Sequence, residues 1–220
     1  MEENKMPLIG DHAPEFHAMT TQGKIDFPAD YKGSWVVLFS HPADFTPVCT
    51  TEFIALSRMN ETFESLNTKL IGLSIDSLHS HLGWIKSIEA LNFNNEGKVK
   101  IPFPIIADIS MNVARKYGML QTVANTQTVR AVFIIDPEGM IRTILYYPMS
   151  TGRNIPEIIR ILQSLQLNDK THYSTPANWQ PGDAVVMGAP LTIEEAQERL
   201  ESSDNTIKPL DWYLTMKKMK

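Results

Sequence analysis

The residues of this chain best suited to chemistry lie around its single cysteine, Cys49. Cys49 stands within residues 40–52, which read SHPADFTPVCTTE, between an apolar run and an amphipathic segment. A thiol at the start of a helix lies near backbone N–H groups and the positive end of the helix dipole, and both favour the thiolate. The sequence holds no second cysteine with which to form an intrachain disulfide. The pattern therefore predicts a thiol nucleophile whose oxidised form is reduced from outside the chain.

Two neighbouring elements must position this cysteine. Residues 35–40 (WVVLFS) form a continuous apolar run, which is typical of a strand buried on both faces. From Thr51 onward apolar residues recur at spacings of three and four, which predicts a helix whose start is capped by Thr50 or Thr51. The inward positions of that helix are Phe53, Leu56, Met59, Phe63 and Leu66. Cys49 is thus expected at a strand-to-helix junction.

Alternating strands and helices continue along the chain after this junction. Further strands are predicted at 69–75, 104–107, 130–135 and 140–147, the last two joined by a turn at 136–139. Helices are predicted at 110–117, from Asn154 onward, and over a segment with Leu78, Leu82, Ile85, Ile88 and Leu91 inward. This order predicts the α/β class, with a mixed central sheet and helices on its faces.

The character of the chain changes near residue 168. Residues 171–190 are rich in proline and glycine and show no sustained periodicity, and a short helix is predicted at 192–202, opening at Thr192. The segment is too poor in core residues to fold alone. We therefore expect a main domain over 1–167 and a C-terminal arm over 168–220 that packs on it or on a second subunit.

Composition excludes several classes of function. The net charge of −5 and the lack of basic stretches before the last four residues argue against nucleic-acid binding. No apolar run approaches the roughly 18 residues needed to cross a membrane, and the first five residues lack the pattern of a signal peptide. A single cysteine fits a reducing cytosol. The expectation is a soluble cytoplasmic protein with no nucleic-acid or membrane partner.

The string around the cysteine resembles the active-site motif of the peroxiredoxins, Pro42-x-x-x-Thr46-x-x-Cys49. Over the whole of residues 40–52 it is similar to the one-cysteine subgroup, peroxiredoxin 6, and the likeness covers about residues 8–215. It also includes Arg130, residues 147–154 and residues 178–183. The resemblance implies a thioredoxin-like fold whose C-terminal arm serves dimerisation. It further implies an antioxidant thiol peroxidase that reduces hydrogen peroxide and organic hydroperoxides through a sulfenic acid at Cys49.

The same resemblance implies the catalytic set Cys49, Thr46, Pro42 and Arg130. Complete ionisation of a free thiol raises its reactive fraction at neutral pH by only roughly 30-fold, so the site must also bind the charge on the leaving oxygen. Arg130 is expected to favour the thiolate and donate to peroxide oxygens. The Thr46 hydroxyl can both accept and donate a hydrogen bond. Pro42 is expected to shield the sulfur from water.

Four supporting residues complete the expected site. A bare carboxylate one turn after the cysteine opposes the thiolate, and by resemblance Glu52 is paired, bridging Arg130 and Arg153. Val48 is expected to offer its backbone N–H, as at other helix starts. His41 is expected at the pocket rim, in contact with the substrate or the oxidised sulfur.

The implied partners are small molecules, a reductant and further copies of the chain. They are hydrogen peroxide, alkyl hydroperoxides, an external thiol such as glutathione or a thioredoxin-like protein, and a homo-oligomer built from dimers. No cofactor and no metal is expected. His79 and His81 alternate, but no acidic or cysteine partner lies at a ligand-like spacing, and a solvated helix start is the favoured interpretation.

Two other functions stay open at this point. Some peroxiredoxin 6 relatives carry a lipase-like GDSWG string, but residues 32–36 read KGSWV here, which weighs against phospholipase action by Ser34. A chaperone or signalling protein that uses the sulfenic state as a switch is the alternative from another class. Peroxide consumption compared with that of Cys49→Ser distinguishes it from a peroxidase. A Cys-x-x-Cys oxidoreductase is excluded, since position 46 is threonine.

Overall fold

The structure, a computed structural model, describes residues 6–122 and 125–219. The chain divides into two compact units, Met1–Ile155 and Pro156–Lys220. The expected main domain over 1–167 and C-terminal arm over 168–220 stay predictions.

The first unit contains a mixed sheet and, among the described residues, four α-helices. Its strands are β1 (Phe16–Thr20), β2 (Gly23–Phe27), β3 (Trp35–Ser40), β4 (Thr68–Ser74), β5 (Ile105–Ala107), β6 (Leu120–Thr122), β7 (Asn125–Thr128), β8 (Arg130–Ile135) and β9 (Ile141–Tyr147). Its helices are α1 (Pro47–Arg58), α2 (Asn60–Ser65), α3 (Leu78–Ala90) and α4 (Asn112–Lys116). Seven strands form one sheet in the order β2-β1-β5-β4-β3-β8-β9, and β6 pairs with β7. The predicted α/β class is confirmed.

Strand β3 lies inside this sheet and sets the position of the cysteine. All six of its residues are buried, with β4 parallel on one side and β8 antiparallel on the other. A continuous apolar run is what a strand covered on both faces requires. The neighbouring end of β8 therefore brings Arg130 close to the loop that follows β3.

The helix after β3 begins earlier than predicted. Helix α1 starts at Pro47 with Thr46 as its N-cap, so neither Thr50 nor Thr51 caps it. Proline suits the first helical position because its fixed φ is already helical and its missing N–H needs no partner there. The expected single helix also breaks at Met59, whose φ of −96° and ψ of 4° separate α1 from α2.

Two further features differ from expectation. The hairpin of β1 and β2 at the sheet edge was not predicted, because its mixed, largely exposed residues lack an apolar run. In α3 the buried side chains are His81, Trp84 and Ile88, whereas Leu82 and Leu91 are 41% and 43% exposed. The buried face of α3 is thus rotated relative to the leucine spacing.

In its described part, which ends at residue 219, the second unit contains two helices and a small sheet. They are α5 (Ile155–Thr171), α6 (Ile193–Leu200), β10 (Val185–Val186), β11 (Ile207–Pro209) and β12 (Thr215–Lys217), the strands in the order β10-β12-β11. Thr192 caps α6 as predicted, since its Oγ1 accepts the N–H of Glu195 at 3.1 Å. In the part of the chain that the structure describes, no helix has the length and apolarity needed to span a bilayer.

Candidate active site

Cys49 is the third residue of α1, and its side chain is fully buried. The loop 41–46 joins it to the end of β3. The first N–H groups of a helix have no partner within the helix, and the Thr46 side chain makes no cap hydrogen bond to them. The backbone N–H groups of Val48 and Cys49 therefore have no partner within the helix. An anion is favoured at this position by the helix dipole as well.

Arg130 provides the direct contact to the sulfur. It opens β8 and is buried, with Nη1 3.3 Å from the Sγ of Cys49 and 2.7 Å from Oε2 of Glu52. Its Nε and Nη2 donate to the Met149 carbonyl at 3.0 and 2.8 Å. The guanidinium plane is therefore held on both edges. A donor that is both charged and fixed stabilises a negative charge that lies beside it.

Glu52 lies between two arginines, one helical turn after the cysteine. Arg153 binds it through three groups: Nε at 2.9 Å, Nη2 at 2.6 Å and its backbone N–H at 2.8 Å. Burial raises the pKa of Glu52, but the charges and hydrogen bonds of Arg153, with the charge of Arg130, outweigh it and hold the pKa below its ordinary value. One carboxylate and two guanidinium groups leave a single positive charge, which a thiolate neutralises.

Arg153 also ties the site to the sheet. Its Nη1 donates to the carbonyls of Ser40 at 2.9 Å and Ala131 at 3.2 Å, which lie on the adjacent strands β3 and β8. Its guanidinium stands 5.2 Å from the ring centre of Phe39. The sequence predicted this residue only through family resemblance, and the structure brings it together with Glu52, Arg130 and Cys49.

Thr46 and Pro42 both belong to the loop 41–46 that precedes α1. The Thr46 hydroxyl donates to the carbonyl of Ala43 at 2.8 Å, so its hydrogen is engaged and its lone pairs remain free to accept. In this state Thr46 does not offer the donor that the sequence analysis also expected of it. Pro42 is buried.

His41 is placed differently from the expectation. Its side chain is fully buried, so its predicted location at the pocket rim is wrong. The ring packs against Phe53 of α1 and stacks on Trp84, each at a centroid distance of 4.9 Å. The indole N–H of Trp84 in turn donates to Thr50, the neighbour of the cysteine, at 3.2 Å. His41 thus lies beside the first turns of α1.

Asp44 and His81 contact His41 and were missed by the sequence analysis. The interpretation of the alternating histidines as a solvated helix start is right for exposed His79 but wrong for His81, which is fully buried. A signal was present: His81 is followed by Trp84 and Ile88 at spacings of three and four, which is the periodicity of a buried helical face.

Replacing Glu52 with glutamine is expected to lower the free energy of unfolding by about 3–5 kcal/mol at neutral pH, because it leaves two buried guanidinium groups without their anion. A carboxyl whose pKa is depressed by folding stabilises the native state above its unfolded pKa, near 4.5, and loses that contribution as the pH falls through the folded value. The difference between parent and variant should therefore shrink below about pH 4.5. Urea denaturation across pH 3 to 7 measures it.

The matched control is Glu89→Gln. Glu89 pairs with Lys100 at 2.6 Å, but the lysine side chain is 84% exposed, so we expect a change of at most about 1 kcal/mol. An effect of Glu52→Gln that is as large at the acid end as at neutral pH would show that charge is not its cause.

A mixed α/β sheet that sets a buried cysteine at a helix start, against a fixed arginine, defines a thioredoxin-like thiol oxidoreductase. Sequence comparison narrows this class. Residues 9–144 match the AhpC/TSA family, and residues 164–203 match the C-terminal domain of 1-Cys peroxiredoxin. A peroxiredoxin of Methanosarcina mazei is 57% identical over 215 residues, which cover 97% of this chain and 98% of the relative. Peroxiredoxin 2 of Sulfurisphaera tokodaii is 49% identical over 223 residues, covering all of both chains.

Solved structures agree with the sequence comparison. A yeast mitochondrial 1-Cys peroxiredoxin superposes with a TM-score of 0.84 at 41% identity, covering 97% of this chain and all of the other. A cysteine-to-serine mutant of the peroxiredoxin 6 of Arenicola marina gives 0.83 at 34% identity, covering 97% and 99%. The chain belongs to the peroxiredoxin family, and one-cysteine members are among its structural neighbours. It is a thiol-dependent peroxidase, and the predicted family, fold and activity are confirmed.

Proposed function

We propose that the Cys49 thiolate attacks the terminal oxygen of hydrogen peroxide or an alkyl hydroperoxide. A sulfur–oxygen bond forms as the oxygen–oxygen bond breaks, giving Cys49 sulfenic acid and an anion that takes a proton to leave as water or alcohol. The sulfur is oxidised by two electrons and the peroxide is reduced by two. The observation that carries this proposal is the 3.3 Å contact between Sγ and Nη1 of Arg130.

The residues around the sulfur bind the peroxide, exclude water and position Arg130. Arg130 and the N–H groups of Val48 and Cys49 stabilise the charge that develops on the leaving oxygen. The free lone pairs of Thr46 accept the hydrogen of the hydroperoxide, and buried Pro42 keeps water from the sulfur. Because they are hydrogen-bonded to Arg130 or to each other, Glu52 and Arg153 act by positioning.

An external thiol completes the proposed cycle. The first thiol displaces water from the sulfenic acid to form a mixed disulfide, and a second thiol releases Cys49 as the reduced thiol. The yeast mitochondrial relative is described with a thiol-resolving mechanism via glutathione/thioredoxin systems. We therefore assign glutathione or a thioredoxin-like protein as the reductant here. A chain with one cysteine that depends on such a pool fits a reducing, cytoplasmic compartment.

The second unit supports the proposal of a homo-oligomer built from dimers, with residues 168–220 as the dimerisation arm. Large apolar side chains are exposed on it: Leu191 at 92%, Ile193 at 81%, Leu200 at 50%, Trp212 at 50% and Tyr213 at 51%. A second copy of the chain that covers them removes this apolar surface from water. Analytical ultracentrifugation, compared with the Ile193→Glu variant, tests the assignment, and a monomeric parent contradicts it.

Peroxide consumption by the purified protein tests the proposed function. The parent with excess dithiothreitol is expected to consume hydrogen peroxide far faster than dithiothreitol alone, and Cys49→Ser to match the background. Intact-mass measurement after one equivalent of peroxide should show one added oxygen on the parent and none on the variant. A chaperone that only switches on oxidation gains the oxygen without sustained turnover, and that result contradicts the peroxidase.

Loss of the reductant is expected to inactivate the protein under peroxide. Since the chain has no resolving thiol, the sulfenic acid meets further peroxide and proceeds to the sulfinic and sulfonic acids. Activity should fall irreversibly in parallel with the second added oxygen, whereas glutathione or thioredoxin supplied from the start protects it. Equal inactivation with every member of a reductant panel would rule out those thiols as the physiological donor.

A further inference from the structure

A closed polar cluster lies beside the cysteine loop. The side chains of His41, Asp44 and His81 are at most 1% exposed. Asp44 accepts from Nε2 of His41 at 2.9 Å and from Nδ1 of His81 at 2.8 Å, and Nε2 of His81 lies 3.1 Å from the carbonyl of Ile106. The backbone N–H of Asp44 donates to the carboxylate of Asp76 at 3.0 Å. Three elements, the loop after β3, helix α3 and strand β5, therefore meet in these bonds.

Counting hydrogens fixes the state of each ring. The Ile106 carbonyl only accepts, so Nε2 of His81 carries a hydrogen. Although burial raises the pKa of Asp44, hydrogen bonds from His41 and His81 outweigh it and hold the pKa well below its ordinary value, so the carboxylate only accepts as well. Asp44 therefore accepts the hydrogen bonds of both rings.

The same count leaves one atom of His41 without a partner. Its Nε2 carries the hydrogen that it donates to Asp44, so Nδ1 holds a lone pair. Within residues 6–122 and 125–219, this buried nitrogen has no hydrogen-bond partner. Burial also lowers the pKa of His41, which keeps the ring neutral. A buried acceptor without a donor costs free energy unless a ligand supplies the hydrogen.

We propose that Asp44 and His81 are positioning residues, which hold His41 in the Nε2–H tautomer and so keep Nδ1 as an acceptor for an O–H group at Cys49. The O–H belongs to the bound hydroperoxide or to the sulfenic acid, and this role rests on the proposed function. The His41 ring packs against Phe53, which follows Cys49 by four residues in α1 and therefore shares a helical face with it.

Replacing Asp44 with asparagine tests the role of the carboxylate. The amide can donate to Nε2 of His41, which moves the hydrogen of that ring to Nδ1 and turns the acceptor into a donor. We expect kcat/KM for hydrogen peroxide to fall by about 10–100-fold, the usual cost of one lost hydrogen bond to a buried polar group. Because Asp44 acts through His41, the same change in a His41→Phe background should cost less than about threefold. Similar losses in both backgrounds overturn the proposal.

The control is Asp108→Asn. Asp108 is another buried carboxylate of the same unit, but it accepts the backbone N–H groups of Val113 and Ala114 in α4. We expect a loss of stability with kcat/KM per folded molecule unchanged. A comparable loss of kcat/KM in this variant means that the Asp44 effect is merely structural.

Nitrogen-15 NMR of the histidine rings tests the tautomer without turnover. The parent should show an unprotonated Nδ1 on His41, and Asp44→Asn should show a protonated Nδ1 on His41. If Asp44→Asn does not fold, His81→Gln, which keeps one donor to Asp44, should give a smaller loss of kcat/KM. A parent with Nδ1–H on His41, or one that holds a stoichiometric metal ion at the cluster, contradicts the proposal. A parent that has the expected tautomer but consumes no peroxide overturns the proposed function instead.

Discussion

Replacing Cys49 with serine is expected to lower kcat/KM for hydrogen peroxide by at least about 10⁴-fold, to the rate of dithiothreitol alone. Serine retains the position but stays protonated at neutral pH, and its oxygen cannot take up a peroxide oxygen as sulfur does. The chain has no other cysteine that can substitute. Arg130, which contacts the sulfur at 3.3 Å, then faces an uncharged hydroxyl at position 49. The measurement is initial peroxide consumption at several peroxide concentrations.

The serine variant must be shown to be folded for this result to count. Its hydroxyl fills almost the space of the buried thiol, and the ion pairs of Glu52 with both arginines do not involve the sulfur. We therefore expect near-native circular dichroism and a urea midpoint close to that of the parent. Turnover above background in a folded Cys49→Ser protein would show that another group reduces the peroxide.

Local patterns in the sequence predict the part of the fold that holds the cysteine. Strand β3 is apolar at five consecutive positions because it is covered on both faces, and the spacing of Phe53 and Leu56 marks the inner face of α1. The β1–β2 hairpin lies at the sheet edge, and its exposed residues are free to be polar. Strand patterns depend on burial, so the edge of the sheet carried no recognisable signal.

The residues of the candidate site likewise include some that local patterns predict and some that they do not. Thr46, Cys49 and Glu52 share one loop and helix, so their spacing alone places them together. Arg130 contacts a residue 81 positions away, and such a contact depends on which strands pair. Family resemblance indicated Arg130, whereas the pairing of Asp44 with His81, 37 positions apart, had no motif to mark it. The interpretation of His81 was wrong because this residue shares the buried helical face of Trp84 and Ile88, and alternation with exposed His79 does not indicate burial.

Replacing Arg130 with glutamine is expected to lower kcat/KM for hydrogen peroxide by about 10²–10³-fold, the usual cost of one charged donor aimed at a developing oxyanion. Two effects contribute: fewer molecules hold the thiolate, and the leaving oxygen loses a donor. The rate of alkylation by iodoacetamide measures the first effect alone, because that reagent needs the thiolate but no oxyanion donor. Arg142→Gln is the control. Arg142 lies on the neighbouring strand β9 and pairs with Asp136 at 3.2 Å, so its replacement should leave both rates unchanged.

The loss in the rate of peroxide reduction should exceed the loss in the rate of alkylation, by more than a change in thiol ionisation can explain. A thiol that loses all help with ionisation retains a few per cent of thiolate at neutral pH, which limits the loss in alkylation to roughly 30-fold. A less acidic thiol also gives a more nucleophilic thiolate, which makes the decrease in the alkylation rate smaller still. Peroxide reduction must therefore fall more than alkylation if Arg130 binds the reacting oxygens. Equal losses would confine Arg130 to ionising the sulfur, and the charge on the leaving oxygen would then be carried by the N–H groups of Val48 and Cys49.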